Sequence, residues 1–141
     1  MPRSFWACLV IGNVFLVQTT FAQSQRADSV RCITTCATDL NADGQSDLAI
    51  LLQNQDKQQL VVLLATNGGY KSYLLRSDTE TAWILICQVG NRVREAGAGP
   101  GKHKRRSFKT PGAYLIMSQP EGAAVAYFWN GEKFQEVWIA D

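Results

Sequence analysis

Residues 47–66 read "DLAILLQNQDKQQLVVLLAT". Two aliphatic runs, 47–53 and 59–66, flank the polar connection "QNQDKQ", the pattern of a β-hairpin. Successive side chains of a strand point to opposite faces, so Leu48, Ile50 and Leu52 line one face while Ala49 and Leu51 line the other. Both faces are apolar. A strand of that kind needs cover on both sides, which predicts a second layer. With no helix to supply it, the layer is another sheet or the same sheet curled over itself.

Further runs of β-branched and aromatic residues extend outward from this hairpin: 31–38, 70–76, 82–90, 113–118, 123–129 and 133–140. The segments between them, "TNGG", "QPEG" and "WNGEK", carry turn residues. Asn130-Gly131 predicts a type I′ turn, which needs positive φ at both central residues. No segment keeps a helical period. The expectation is an all-β single domain: an antiparallel meander forming a two-layer or strongly curled sheet. In 123–129, Ala124, Ala126 and Phe128 are expected on one face and Val125, Tyr127 and Trp129 on the other. The aromatic ending reads as core rather than as a recognition face.

The first residues, "MPRSFWACLVIGNVFLVQTTFAQ", divide as an export signal does. Arg3 supplies the positive start, Phe5 to Val17 the apolar stretch, and Thr20 and Ala22, on either side of Phe21, the small residues at a cleavage site before Gln23. The apolar stretch is short of the roughly 20 residues a membrane span needs. Residues 1–22 are therefore expected to be a signal peptide. Residues 23–141 form the mature domain, periplasmic or secreted, with no transmembrane segment. One domain's worth of chain remains. Its charge is close to balanced, 13 Lys and Arg (14 less Arg3) against 12 Asp and Glu.

Three cysteines lie beyond residue 22: Cys32, Cys36 and Cys87. On an extended strand Cys32 and Cys36 stand about 13 Å apart, beyond the roughly 7 Å that a disulfide spans between Cα atoms. One of the pair can bridge to Cys87, with Cys36–Cys87 the candidate. The competing reading is three buried thiols. Export favours persistence of a bridge.

The segment just before the hairpin carries the chemistry. In "DLNADGQSD", Asp39, Asn41, Asp43 and Asp47 occupy positions 1, 3, 5 and 9, Gly44 is at position 6, and Gln45 offers its carbonyl at position 7. Calcium takes six to eight oxygens, and alternate inward side chains around a glycine turn supply them. Position 12 is Ile50 rather than Glu and the flanks are strands, so this is no EF-hand, and Asp47 must close the site. The competing reading is an Asx-rich turn that needs no metal.

The loop resembles the D-x-[DN]-x-D-G-x-x-D loop of integrin-type FG-GAP and VCBS repeats. That resemblance implies calcium held between two strands by Asp39, Asn41, Asp43, the Gln45 carbonyl and Asp47. Across residues 36–139 the order is also similar to small exported bacterial proteins that carry one such motif, then "LVVLL", then an ending like "AVAYFWNGEKFQEVWIAD". A single loop without internal repeats excludes a seven-bladed propeller, and the integrin ligand-binding role does not carry over.

Residues 91–110, "NRVREAGAGPGKHKRRSFKT", read as a flexible basic surface loop. Lys102, Lys104, Arg105, Arg106 and Lys109 are its candidate contacts to an anionic surface or an envelope partner; the bland reading is a solvated charge run. Nucleic acid is not an expected partner of an exported chain. "GAGPGK" is no phosphate loop, since three residues separate its outer glycines and His103 stands where Ser or Thr is required. His103 is the lone histidine, and Asp78 with Glu80 are expected in a turn, so no catalytic arrangement emerges. The functional expectation is an exported non-enzymatic β-domain with a structural calcium loop, a binding or structural module of the envelope or extracellular space. The alternative is an inhibitor or accessory protein docking through 91–110.

Overall fold

The computed structural model describes residues 29–80, 82–96, 106–120 and 122–140. Among them the chain forms β1 (Val30–Thr38), β2 (Asp47–Asn54), β3 (Lys57–Thr66), β4 (Gly69–Glu80), β5 (Ile84–Gln88), β6 (Arg92–Arg94), β7 (Ser107–Lys109), β8 (Tyr114–Ser118), β9 (Ala124–Trp129) and β10 (Phe134–Ala140), with no helix. Nothing there is a helix long and apolar enough to cross a membrane.

The hairpin at 47–66 is present, with β2 and β3 paired antiparallel from Leu48↔Leu63 to Asn54↔Lys57. It is the centre of a four-stranded meander, β1-β2-β3-β4. A second sheet has the order β10-β9-β8-β5, and β6 with β7 makes a small third one. All pairings are antiparallel.

The two larger sheets face one another across the core, as an apolar face on each requires. Ala49, Leu51, Leu60, Val62 and Leu64 of the first sheet share one buried cluster with Leu85, Leu115, Met117, Val125 and Tyr127 of the second. Cys36 of β1 is disulfide-bonded to Cys87 of β5, with Cα atoms 6.2 Å apart, tying one sheet to the other. Cys32 is free and exposed, so the reading of three buried thiols is excluded. Buried Gln58 adds a polar tie: its Oε1 accepts the Trp83 N–H at 3.1 Å and its Nε2 donates to the Trp83 carbonyl at 3.4 Å.

Strand β9 divides its side chains as expected, and both faces are covered. Val125 and Tyr127 belong to the main core, while Ala126 and Phe128 join Val93 and Val137 in a second cluster packed by Phe108. That cover comes from the β6–β7 hairpin. The ends of the 91–110 segment are thus ordered strands, not the irregular loop expected, because Val93 and Phe108 are apolar residues paired in register and buried or half-buried on β9. Short strands amid Gly and Arg were invisible to the period-2 pattern. Arg106 and Glu95 fix the hairpin with two hydrogen bonds of 2.7 Å. That bidentate pairing lowers the Glu95 pKa and raises that of Arg106.

Three other expectations change. The Leu48–Ile50–Leu52 face of β2 points away from the core and has no covering layer among the described residues; all three side chains are half-buried. The Asn130-Gly131 connection is not type I′. Phe134 pairs with Trp129, leaving a four-residue connection in which Gly131 has positive φ and Asn130 does not. The Asn130 carboxamide oxygen instead accepts the N–H groups of Glu132 and Lys133, at 3.0 and 2.9 Å. Finally, Asp78 and Glu80 lie on β4 rather than in a turn.

Candidate functional site

The acidic segment joins β1 to β2 at one end of the sandwich. Its first fixed point is Leu40, which is fully buried in the main core. A leucine between two polar ligand-type residues is a plug: it pulls the start of the loop inward, and Asp39 and Asn41 on either side stay half-exposed. The second fixed point is the backbone of 112–113. Ala113 N–H donates to the Asp39 carbonyl at 3.1 Å, and a Cβ on Gly112 would stand 2.6 Å from that same carbonyl oxygen. Only glycine allows this approach.

Between these anchors the side chains fold onto the loop's own backbone. Asp39 Oδ1 accepts the Asp43 N–H at 3.2 Å and Oδ2 the Gly44 N–H at 2.9 Å. Asn41 Oδ1 also accepts the Asp43 N–H, at 3.0 Å, and Asn41 Nδ2 donates to Asp43 Oδ2 at 3.0 Å. Asp43 Oδ1 accepts the Gln45 N–H at 2.8 Å. Such a chain of contacts requires left-handed backbone at two places, Gly44 at φ 84° and Ala42 at φ 61°. Alanine there is strained by about 1–2 kcal/mol, which the surrounding hydrogen bonds offset.

Asp47 behaves differently. It is 1% exposed. Its Oδ2 accepts the Leu40 N–H and its Oδ1 the Ala65 N–H, both at 2.8 Å. Where a closing ligand was expected, the fold has a clamp that ties the loop to β3. A carboxylate oxygen engaged in one hydrogen bond keeps a further lone pair. Asp39 and Asp43 therefore retain acceptor capacity at the surface, while Asp47 is turned to the interior.

Among the described residues no group of three or more His, Cys, Asp or Glu side chains could hold a metal ion. An ion at this loop must draw on Asn41, the Gln45 carbonyl and water besides Asp39 and Asp43. Calcium accepts such a mixed oxygen set; a metal that needs nitrogen or sulfur ligands does not.

Beside the loop runs a surface groove of about 650 Å³, whose lining includes Asn41, Phe108, Lys109, Trp129 and Gln135. Lys109 is exposed there. Arg106 is committed to Glu95. Lys102, Lys104 and Arg105 lie outside the described residues.

Sequence reasoning missed Leu40 as the plug and Gly112 as the back of the loop. The only signal was "TPGA" at 110–113, an ordinary turn until its partner is known. The half-buried Arg76 network was also missed. Arg76 lies over the rings of Trp83 and Trp138, at 5.0 and 5.6 Å from their centroids. It donates to the Tyr127 hydroxyl at 3.2 Å, and that hydroxyl donates to Glu136 at 3.0 Å. Burial pushes the Tyr127 pKa up to about 12, against the opposing pull of Arg76.

Compared with known proteins, the chain matches no family model, no curated protein and no solved structure.

Proposed function

We propose that the chain is an exported, non-enzymatic β-domain with one structural calcium loop, acting as a binding or structural module in the cell envelope or extracellular space. The observation that carries this reading is the ring of backbone amides held at 2.8–3.2 Å by the Asp39, Asn41 and Asp43 side chains around Gly44. A plain turn requires one or two such bonds. This loop makes more and also holds alanine at positive φ. Asp39, Asn41, Asp43 and the Gln45 carbonyl hold the ion in this reading, water completes the shell, and Asp47 keeps the loop seated.

The likeness of the segment to FG-GAP and VCBS loops supports the choice of calcium, and the export signal supports a compartment in which calcium is plentiful. Sites of extracellular type bind at about 10⁻⁴–10⁻³ M. With calcium at about 1 mM and a dissociation constant near 0.1 mM, the ion adds about 1.4 kcal/mol of stability. The domain thus folds without the ion and is stiffened by it.

Thermal melting of the exported chain in chelator and in millimolar calcium tests this. A rise of a few degrees on adding calcium, absent in Asp43→Ala, is expected; equal midpoints overturn the reading.

A further inference from the structure

We propose that the groove beside the β6–β7 hairpin binds an extended acidic–aliphatic peptide of a partner protein, which adds a strand to the free edge of β7. Among the described residues β7 pairs only with β6. Glu95 N–H donates to the Arg106 carbonyl and Thr110 N–H to the Asn91 carbonyl, both at 3.0 Å. Bonded positions alternate along an antiparallel pair, so Arg106, Phe108 and Thr110 face β6, while the N–H and C=O of Ser107 and Lys109 point the other way. Ser107 and Lys109 are exposed, and both line the groove of about 650 Å³. No β6 residue lines it. The groove therefore runs along the unpaired edge of β7.

That edge selects the occupant. Backbone donors and acceptors alternating at strand spacing are the complement of another extended chain. Side chains set its sequence. Val93 and Phe108 pack toward β9, so Ser107 and Lys109 project from the opposite face of the hairpin. A peptide residue opposite Phe108 points inward, against a half-buried ring that packs on Phe128 with centroids 5.6 Å apart. An aliphatic side chain suits that position. A residue opposite Lys109 shares its outward face. Lys109 is the one charged residue in the described lining, and it makes no ion pair among the described residues. A carboxylate is its natural cross-strand partner.

The far wall is the β9–β10 turn at Asn130 and Gly131, with Asn41 of the acidic loop beside it. A single strand enters between such walls; a second copy does not, because its own β7 is bounded by the same turn. The inference names the partner chemistry of the binding module proposed above and rests on that reading, but it does not require the ion.

The test is fluorescence anisotropy of a labelled, end-blocked hexapeptide of alternating glutamate and valine, titrated with the purified chain to about 0.5 mM. Saturable binding with a dissociation constant on the order of 10⁻⁴ M or tighter is expected. The lysine–valine counterpart should bind about fivefold or more weakly, and Lys109→Glu should reverse that preference. Residues opposite Ser107 and Lys109 exchange both hydrogen bonds with them, so the glutamate N–H groups are engaged and the valine N–H groups point away. Methylating the glutamate nitrogens should therefore weaken binding by about tenfold more than methylating the valine nitrogens. Ser107→Pro removes an N–H that bonds nothing in β6, a position where an edge strand tolerates proline. It should weaken binding by about tenfold with the melting temperature kept. Absence of saturable binding overturns the proposal. So does equal affinity of the two methylated peptides, indifference to both Ser107→Pro and Lys109→Glu, or equally tight binding of hexaglutamate, which would show charge attraction alone. Chelator leaves the expected affinities unchanged, and the calcium melt uses no peptide, so failure of the calcium reading and failure of this one are separate results.

Discussion

Asp47 Oδ2 accepts the backbone N–H of Leu40 at 2.8 Å, so the last acidic residue of the loop closes on the second residue of the same loop. Its other oxygen takes the Ala65 N–H from β3. One buried carboxylate therefore holds together the loop that precedes β2 and the strand that follows it.

Replacing Asp47 by Ala leaves two backbone donors without their acceptor in a site closed to water. A hydrogen bond to a charged group is worth about 1.5–3 kcal/mol, and stranded donors add to the loss. Urea unfolding should show Asp47→Ala destabilised by about 3 kcal/mol or more. Asp47→Asn keeps one acceptor oxygen and should lose less. Equal stability of the Ala variant and the parent would show that the clamp contributes nothing.

Gly112→Ala tests the back of the loop. The added methyl would lie 2.6 Å from the Asp39 carbonyl oxygen and 3.4 Å from the Ala42 nitrogen, both backbone atoms that cannot swing aside. Overpacking of this kind costs about 1–3 kcal/mol. The loop must also move, so calcium affinity should fall along with the melting temperature.

The bridge between the sheets spans 51 residues of sequence. In the chain-entropy account a closed loop of that length stabilises by about 4 kcal/mol. Reduction, or Cys36→Ser, should lower stability by about 2–4 kcal/mol in chemical unfolding. Cys32→Ser should have no such effect, because Cys32 takes no part in the bridge.

Tyr127 gives a pH signature. Its folded pKa, about 12, lies above the ordinary phenol value of 10.0, so folding favours the protonated phenol. The associated stability is complete below about pH 10 and declines as pH rises toward 12, since the unfolded chain releases that proton first. Tyr127→Phe should flatten this alkaline limb. Absorbance of ionised tyrosine near 295 nm should register a late-titrating phenol in the parent that the variant lacks.

Much of this architecture could be read from the chain because strand signals are local. The aliphatic runs on either side of the polar 53–58 connection placed β2 and β3, the apolar run 123–129 placed β9, and the split of Val125 and Tyr127 from Ala126 and Phe128 follows from a period of two. Non-local matters were not legible. Nothing near Val93 or Phe108 announces that they pair with one another and close over Phe128. The spacing of Asp39, Asn41 and Asp43 foretold their shared loop. Asp47 fits the same spacing, yet it is turned inward by donors from Leu40 and from Ala65, the latter eighteen residues away. A motif gives ligand-type residues at ligand-type intervals; which way each one points is decided by the strands behind it.

Isothermal titration of the purified chain with calcium is the most direct test of the loop. A single saturable event is expected, with a dissociation constant on the order of 10⁻⁴ M, lost in Asp43→Ala. Absence of saturable heat up to about 10 mM calcium, well beyond the range of extracellular sites, would contradict it and leave the acidic segment as a turn that binds only its own backbone.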